Sequence, residues 1–108
     1  MSKKGPPEGQ GIGRAEFQKA LKSNDPARRA AAISRARYEL DVEEAVIEAL
    51  ADPDAGVRAA SVRALARWGA RSGIRALVAA SANDPSPDVR AEAVLALSRI
   101  LEEWPKTR

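Results

Sequence analysis

The sequence predicts an all-α fold, an α-solenoid built from three helix pairs, and three observations support this prediction. Ala is the commonest residue and is followed by Arg, Glu and Leu, which are also good helix formers. The dipeptide Asp-Pro occurs three times, at positions 25, 52 and 84. Apolar side chains recur at helical spacing on both sides of each dipeptide, whereas β-branched residues are few and scattered. Together these features predict a repeated helix–turn–helix unit.

The second and third units match each other at a shift of 32 residues. A Val-Arg pair follows the Asp-Pro in both, as Val57-Arg58 and Val89-Arg90. The positions behind these pairs also correspond: Ser61, Ala64, Leu65 and Trp68 match Ala93, Ala96, Leu97 and Ile100. The first unit is looser and matches the second at a shift of 29, with Arg29, Ala32, Ile33 and Ala36 opposite Arg58, Ser61, Val62 and Leu65. The spacing from Val57 to Trp68 is that of one helical stripe, which we expect to face the core.

The turns divide the chain into six predicted helices. Pro cannot continue the helix before it but suits the first turn of the next, and the preceding Asp can accept hydrogen bonds from that helix's N–H groups. Gly69 is predicted to end a helix with positive φ, and Asp41 and Ser72 to cap the helices that follow them. The predicted helices are 12–23, 26–39, 41–51, 54–69, 72–82 and 86–103. They form a domain over 12–104, between a flexible Gly/Pro-rich tail at 1–11 and a charged tail at 105–108.

The pattern Asp-Pro-x3-Val-Arg-x2-Ala/Ser-x2-Ala-Leu resembles the HEAT-like repeat, in the short form named after phycobilisome lyases, over residues 12–104. The resemblance implies a right-handed superhelix with the second helices on the concave face. It also implies that the turn Asp and the Val-Arg arginine interact across neighbouring repeats. By position these residues are Asp25, Asp52, Asp84, Arg58 and Arg90, with Arg29 a weaker match.

The first repeat departs from this pattern. Arg28 replaces the Val, and Arg35 and Glu39 fall near the core-facing side of the predicted helix. End repeats are often atypical because one of their faces has no neighbour. We therefore interpret the first repeat as a terminal cap.

The second helices carry the predicted binding site. Arg63 and Arg67 are neighbours on the surface of the fourth helix. Stacking of the repeats should place Tyr38 and Arg99 in one row with Arg67, and Ser34 and Leu95 in a second row with Arg63. Arg side chains suit carboxylates and phosphates, and Tyr and Leu add apolar contact. The alternative interpretation is a solvated helix face, since arginine is common on exposed helices.

The ends of the stack provide a second candidate surface. Trp104 and Leu101 lie at its C-terminal edge, where Trp104 either caps the last repeat or offers an apolar anchor. Leu95 and Leu101 can face a partner or a second copy, so the sequence leaves the choice between monomer and homo-oligomer open. Trp68 lies on the core stripe and is interpreted as packing.

Catalysis is not predicted. The chain has no cysteine and no histidine, which excludes disulfides and thiolate metal sites and removes the commonest general base. The glycines at 9, 11 and 13 follow no strand and lack the later residues of a phosphate-binding loop. We expect no metal and no cofactor. No apolar run is long enough to span a membrane and none resembles a signal peptide, so we expect a cytoplasmic protein.

Charge bears on the class of partner. Four of the 18 basic residues and one of the 15 acidic residues lie outside 12–104, which leaves 14 of each within the domain. A neutral domain favours a protein-interaction adaptor or assembly subunit that binds an acidic or mixed acidic and apolar partner. Lys3 and Lys4 in the tail could add a second contact. The alternatives are nucleic-acid binding by the arginine strip, as in HEAT-like DNA-alkylation glycosylases, and a chromophore-lyase accessory.

Overall fold

The computed structural model describes residues 11–103 as three stacked helix pairs. The helices are α1 (Arg14–Leu21), α2 (Pro26–Arg35), α3 (Leu40–Glu48), α4 (Ala55–Trp68), α5 (Ile74–Asn83) and α6 (Pro87–Glu102). Short 3₁₀ turns at Ala49–Ala51 and Arg71–Gly73 lie after α3 and before α5. Within the described residues no strand is present, and the predicted all-α fold is confirmed. Residues 1–10 and 104–108, to which most of the predicted tails and Trp104 belong, lie outside the described residues.

The second helix of each pair forms the inner layer of the stack. α4 contacts both α2 and α6 extensively, whereas α1, α3 and α5 contact mainly their own partner helix. Helices that approach each other more closely lie on the inner side of a curved stack, so α2, α4 and α6 line the concave side.

The Asp-Pro turns provide the N-caps and backbone hydrogen bonds at the starts of α2, α4 and α6. The Asp25 carboxylate accepts the Ala27 N–H at 2.9 Å and caps α2, as predicted. In the later repeats the Asp-Pro dipeptide lies two residues farther from the start of the helix, and the residue next to the helix caps it instead: Asp54 caps α4 and Ser86 caps α6. Asp52 and Asp84 brace the turn by accepting the N–H groups of these two residues, each at 2.9 Å.

The N-caps predicted for α3 and α5, Asp41 and Ser72, are wrong. α3 begins after Glu39, and Asp41 lies inside its first turn, where the Arg14 guanidinium lies 3.2 Å away. Ser72 lies in a 3₁₀ turn, and α5 begins after Gly73. Gly69 ends α4 in the left-handed conformation at φ 62°, as predicted.

The prediction that the second helix continues to residue 39 is also wrong. Ala36 is extended and pairs with Ile12 in an isolated parallel bridge, where the Ile12 N–H donates to the Arg35 carbonyl at 3.0 Å. α2 therefore ends at Arg35, and α1 begins at Arg14 rather than at residue 12. Because the helix stops, Arg35 is exposed and Glu39 is only half-buried, in place of the core-facing positions expected for them.

The core follows the predicted stripe on α4. Val57, Ser61, Ala64 and Leu65 are buried, while Trp68 is half-buried at the edge of the core. The Ser61 hydroxyl donates to the Val57 carbonyl at 3.0 Å, so burial leaves no polar atom of this side chain unpaired.

Candidate partner-binding groove

A groove of about 440 Å³ lies between α4 and α6 on the concave side. It brings together four of the five residues that the sequence predicts for partner binding. Small side chains from both helices form its floor, and longer charged and apolar side chains form its walls. The lining residues are Val62, Arg63, Ala66, Arg67, Glu92, Leu95, Ala96 and Arg99.

Arg67 is an exposed cation of the groove whose guanidinium packs against an aromatic ring. Its guanidinium lies over the Trp68 ring, 5.4 Å from the centroid, and donates to the Ile33 carbonyl at 3.4 Å. Burial lowers the pKa of this guanidinium from its usual value. Within residues 11–103 no carboxylate forms an ion pair with it. Arg67 is therefore an exposed cation at the edge of the groove that faces α2, with donors available to an incoming carboxylate.

Arg63 is already paired. Its guanidinium lies 3.2 Å from the Glu92 carboxylate across the groove, and both side chains are partly exposed, at 53% and 35%. Sequence reasoning missed Glu92. The repeat register could have identified it, because Glu92 takes the place of Ala60 at the shift of 32 and therefore faces α4 from α6. Glu92 makes this end of the groove electrically mixed rather than basic.

Arg99 and Leu95 complete the opposite wall. Both side chains are exposed, and they lie one turn apart on α6. An ion pair of Arg99 with a carboxylate is not found among the described residues. The wall thus offers a cation and a large apolar side chain side by side.

Tyr38 does not lie at the position that helical register predicted for it. It lies in the segment after α2 rather than on the helix, so the expected row with Arg67 and Arg99 does not arise from helical register. Its ring meets Trp68 edge-to-face at a centroid distance of 5.6 Å. Tyr38 is therefore linked to Arg67 through Trp68 and lies outside the groove lining. Ser34, placed in the second predicted row, is exposed on α2 and also lies outside the lining.

The buried carboxylate of Glu43 influences the Tyr38 phenol. Glu43 is buried at the start of α3, and the Ser72 hydroxyl donates a hydrogen bond to it. A hydrogen bond to Glu43 also raises the pKa of the Tyr38 phenol, and burial adds to this effect. The Ser72–Glu43 hydrogen bond ties the start of α3 to the turn before α5.

A ladder of arginine–aspartate pairs crosses the opposite edge of the stack. Arg29 donates to both oxygens of Asp52 at 3.0 Å, and Arg58 donates to both oxygens of Asp84 at 2.9 and 3.1 Å. Burial alone would raise the pKa of Asp52 and of Asp84, but the arginine hydrogen bonds, the turn N–H groups and the nearby arginine charges together outweigh it and lower both pKa values. Arg29, the weaker match in the sequence, thus forms a complete pair.

The two ends of the ladder lack such pairs. Neither Arg90 nor Asp25 forms a side-chain ion pair within residues 11–103. The prediction that Asp25 belongs to the ladder is wrong, because Asp25 holds the capping position of Asp54 and Ser86. Ser23 holds the position of Asp52 and Asp84: its hydroxyl accepts the Asp25 N–H and its carbonyl accepts a hydrogen bond from Arg29. Leu101, predicted as an end contact, is exposed at the C-terminal end of α6. Trp104, predicted beside it, lies outside the described residues.

The described part of the chain gives no sign of a metal site or a membrane span. Among residues 11–103 no group of three or more acidic side chains is placed to hold a metal ion. None of the helices in this range is both long and apolar enough to cross a bilayer.

Comparison with known proteins identifies the repeat. The family model for HEAT repeats matches residues 42–107, which is more than half of the chain and includes both of the regular repeats. No curated protein and no solved structure matches the chain significantly. The match confirms the HEAT-like assignment, while the lyase-type subdivision stays a prediction. The Asp-Pro turns, the arginine–aspartate ladder and this match together establish that the chain belongs to the HEAT-repeat family.

Proposed function

We propose that the protein is a non-catalytic adaptor or assembly subunit that binds an acidic, partly apolar protein segment in the groove between α4 and α6. HEAT repeats generally mediate protein–protein interaction or scaffolding, which supports the class of function. The five residues proposed for binding are those predicted from the sequence: Arg63, Arg67, Arg99 and Leu95 line the groove, and Tyr38 lies outside the lining, where it contacts Trp68.

The state of Arg67 is the observation that carries the proposal. Its guanidinium is exposed, lies over the Trp68 ring and donates a hydrogen bond to the Ile33 carbonyl, and no carboxylate pairs with it in the described residues. It therefore keeps N–H donors for an incoming carboxylate. A partner carboxylate would supply two charge-assisted hydrogen bonds to it. Arginine beside aromatic and aliphatic side chains is also the composition typical of interface hot spots.

The groove favours a protein over a nucleic acid. Glu92 lies among the three arginines and would repel a phosphate backbone, and Leu95 offers an apolar contact that a backbone does not use. A protein segment with both acidic and apolar side chains satisfies each part of the groove. The bound segment would place a carboxylate at Arg67 and Arg99 and an apolar side chain at Leu95.

A pull-down with charge-reversed baits tests the proposal. The wild-type chain, an Arg67→Glu/Arg99→Glu variant and an Arg28→Glu/Arg75→Glu control are used on lysate with and without nuclease. The control makes the same change in net charge at exposed arginines outside the groove. We expect wild type and control to capture the same protein after nuclease treatment, and the groove variant to lose it.

Two results would contradict the proposal. Equal capture by the groove variant would move the binding site away from the groove. A partner that disappears with nuclease would replace protein binding by nucleic-acid binding, and its retention would then fall steeply with salt.

A further inference from the structure

A second hollow continues the groove toward the starts of α4 and α6. It also measures about 440 Å³, and its lining shares Arg63, Glu92 and Leu95 with the groove. Asp88 and small side chains of α4 line the part that is not shared. The groove and this hollow together form one depression, which we call the long groove and which follows α6 from Asp88 to Arg99. This stretch of helix has a length of about 16 Å and about three turns.

Charge changes sign along the long groove. At one end Asp88 is exposed and forms no ion pair in the part of the chain that the structure describes. In the middle Arg63 and Glu92 pair with each other at 3.2 Å and add no net charge. At the other end Arg67 and Arg99 are exposed, and the two glutamates that follow Arg99 in the sequence line neither hollow. The long groove is therefore negative at the start of α6 and positive near its end.

The spacing of the lining residues on α6 suits a second helix. They recur at i, i+4, i+7 and i+11 and form one stripe: Asp88, Glu92, Leu95 and Arg99. A helix that lies alongside presents its own side chains at the same intervals, and the small Ala59 and Ala66 of α4 permit its close approach. An extended segment would instead direct backbone N–H and C=O groups at helices whose own backbone groups are already bonded. A helix satisfies these groups internally, so it is the form of partner that the long groove favours.

We infer that the partner segment is an amphipathic helix with carboxylates in its first turn and a basic side chain in its last turn, about three turns away. This inference rests on the proposed function of the groove and adds the basic group and the orientation. The carboxylates bind Arg67 and Arg99. The apolar side chains pack against Leu95, and the basic group lies at Asp88. Acids in the first turn and a base in the last turn also stabilise the partner helix through its dipole, so this helix runs antiparallel to α4 and α6.

Asp88 distinguishes this partner from a uniformly acidic one. A helix with carboxylates along its whole length would place like charges against Asp88 and Glu92. The one cation that lines the second hollow is Arg63, which Glu92 already binds. Two carboxylates and one base leave the partner helix acidic overall, in agreement with the proposed function.

Binding of designed peptides to the full chain tests the inference. The first peptide is an Ala-rich helix of about 15 residues, held helical by a side-chain cross-link, with two Glu in its first turn, Leu in the middle and Lys in its last turn. The second peptide has Glu in place of Lys. Fluorescence anisotropy at low salt should show that wild type binds the first peptide about fivefold more tightly. The chain has a net charge of +3, so net charge alone would favour the more acidic second peptide.

Charge reversal at Asp88 locates the basic group of the bound peptide. Asp88→Lys should reverse the preference and bind the second peptide more tightly, and this gain of binding verifies that the variant is folded. Glu48→Lys is the matched control, because it reverses an exposed carboxylate of α3 that lines neither hollow, and it should keep the wild-type preference.

Three results would each overturn the inference: equal affinity of wild type for the two peptides, a preference that Asp88→Lys leaves unchanged, or no binding of either peptide up to about 1 mM. In each case the proposed function still stands if the Arg67→Glu/Arg99→Glu variant loses its protein in the pull-down. The proposed function fails instead if that variant still captures the protein.

Discussion

Asp84 offers the sharpest test of what holds the repeats together. Its side chain is 5% exposed, that of Arg58 is 11% exposed, and two charge-assisted hydrogen bonds join them across the last two repeats. The Ser86 N–H donates to the same carboxylate. Replacement by Asn keeps the size but removes the charge and turns N–H groups toward the Arg58 donors. Breaking a buried pair in this way lowers the free energy of unfolding by about 3 kcal/mol. This value is at the lower end of the usual range because the pair lies near the surface.

Thermal unfolding measures this loss. For a domain of this size, about 3 kcal/mol corresponds to a fall in Tm of about 15 °C. Glu92→Gln is the matched control, because it also neutralises the acid of an inter-repeat ion pair. The side chains of Glu92 and its partner Arg63 are far more exposed, so we expect Glu92→Gln to lower the free energy of unfolding by less than about 1 kcal/mol.

The comparison separates burial from mere pairing. If Asp84→Asn and Glu92→Gln lower the Tm equally, the ladder does not owe its strength to desolvation, and the reasoning from side-chain exposure fails. If Asp84→Asn leaves the Tm unchanged, the ladder does not stabilise the stack at all.

Two further predictions concern acid and the N-terminal segment. The folded-state pKa values of Asp52 and Asp84 are lowered, because hydrogen bonds from arginine and backbone N–H groups, together with the arginine charges, outweigh burial. Their contribution to stability is therefore complete above the unfolded pKa of about 4 and is lost as pH falls through the folded pKa. The Tm of an Asp52→Asn/Asp84→Asn variant should therefore fall less between about pH 5 and about pH 3 than that of wild type; an equal fall would contradict this. Gly11 has φ 81°, and a Cβ there would lie 2.2 Å from the Arg35 carbonyl oxygen, so Gly11→Ala should cost about 1–3 kcal/mol of unfolding free energy. Gly13→Ala should cost far less, because a Cβ at Gly13 would meet no heavy atom within 4 Å apart from its chain neighbours. Equal denaturation midpoints for the two variants would show that the Ile12–Ala36 bridge does not matter.

The sequence alone determined the repeat and its core. Helical spacing from Val57 to Leu65, the Asp-Pro punctuation and the shift of 32 were sufficient because each depends on local geometry that recurs in every copy. The same reasoning placed Arg63, Arg67, Leu95 and Arg99 on one surface, since neighbouring helices in a repeat stack in register.

Only the tertiary structure decided where helices end and which charges pair. α2 stops at Arg35 because Ile12, more than twenty residues earlier, bonds to its last turn, and this moved Tyr38 off the helix and against Trp68. The roles of Asp54, Ser86 and Glu92 depended on which side chain came nearest to a given N–H or guanidinium. Helical periodicity reports the face that a residue occupies, whereas pairing and capping depend on distances of about 3 Å between residues far apart in the chain, and those distances exist only once the repeats have stacked.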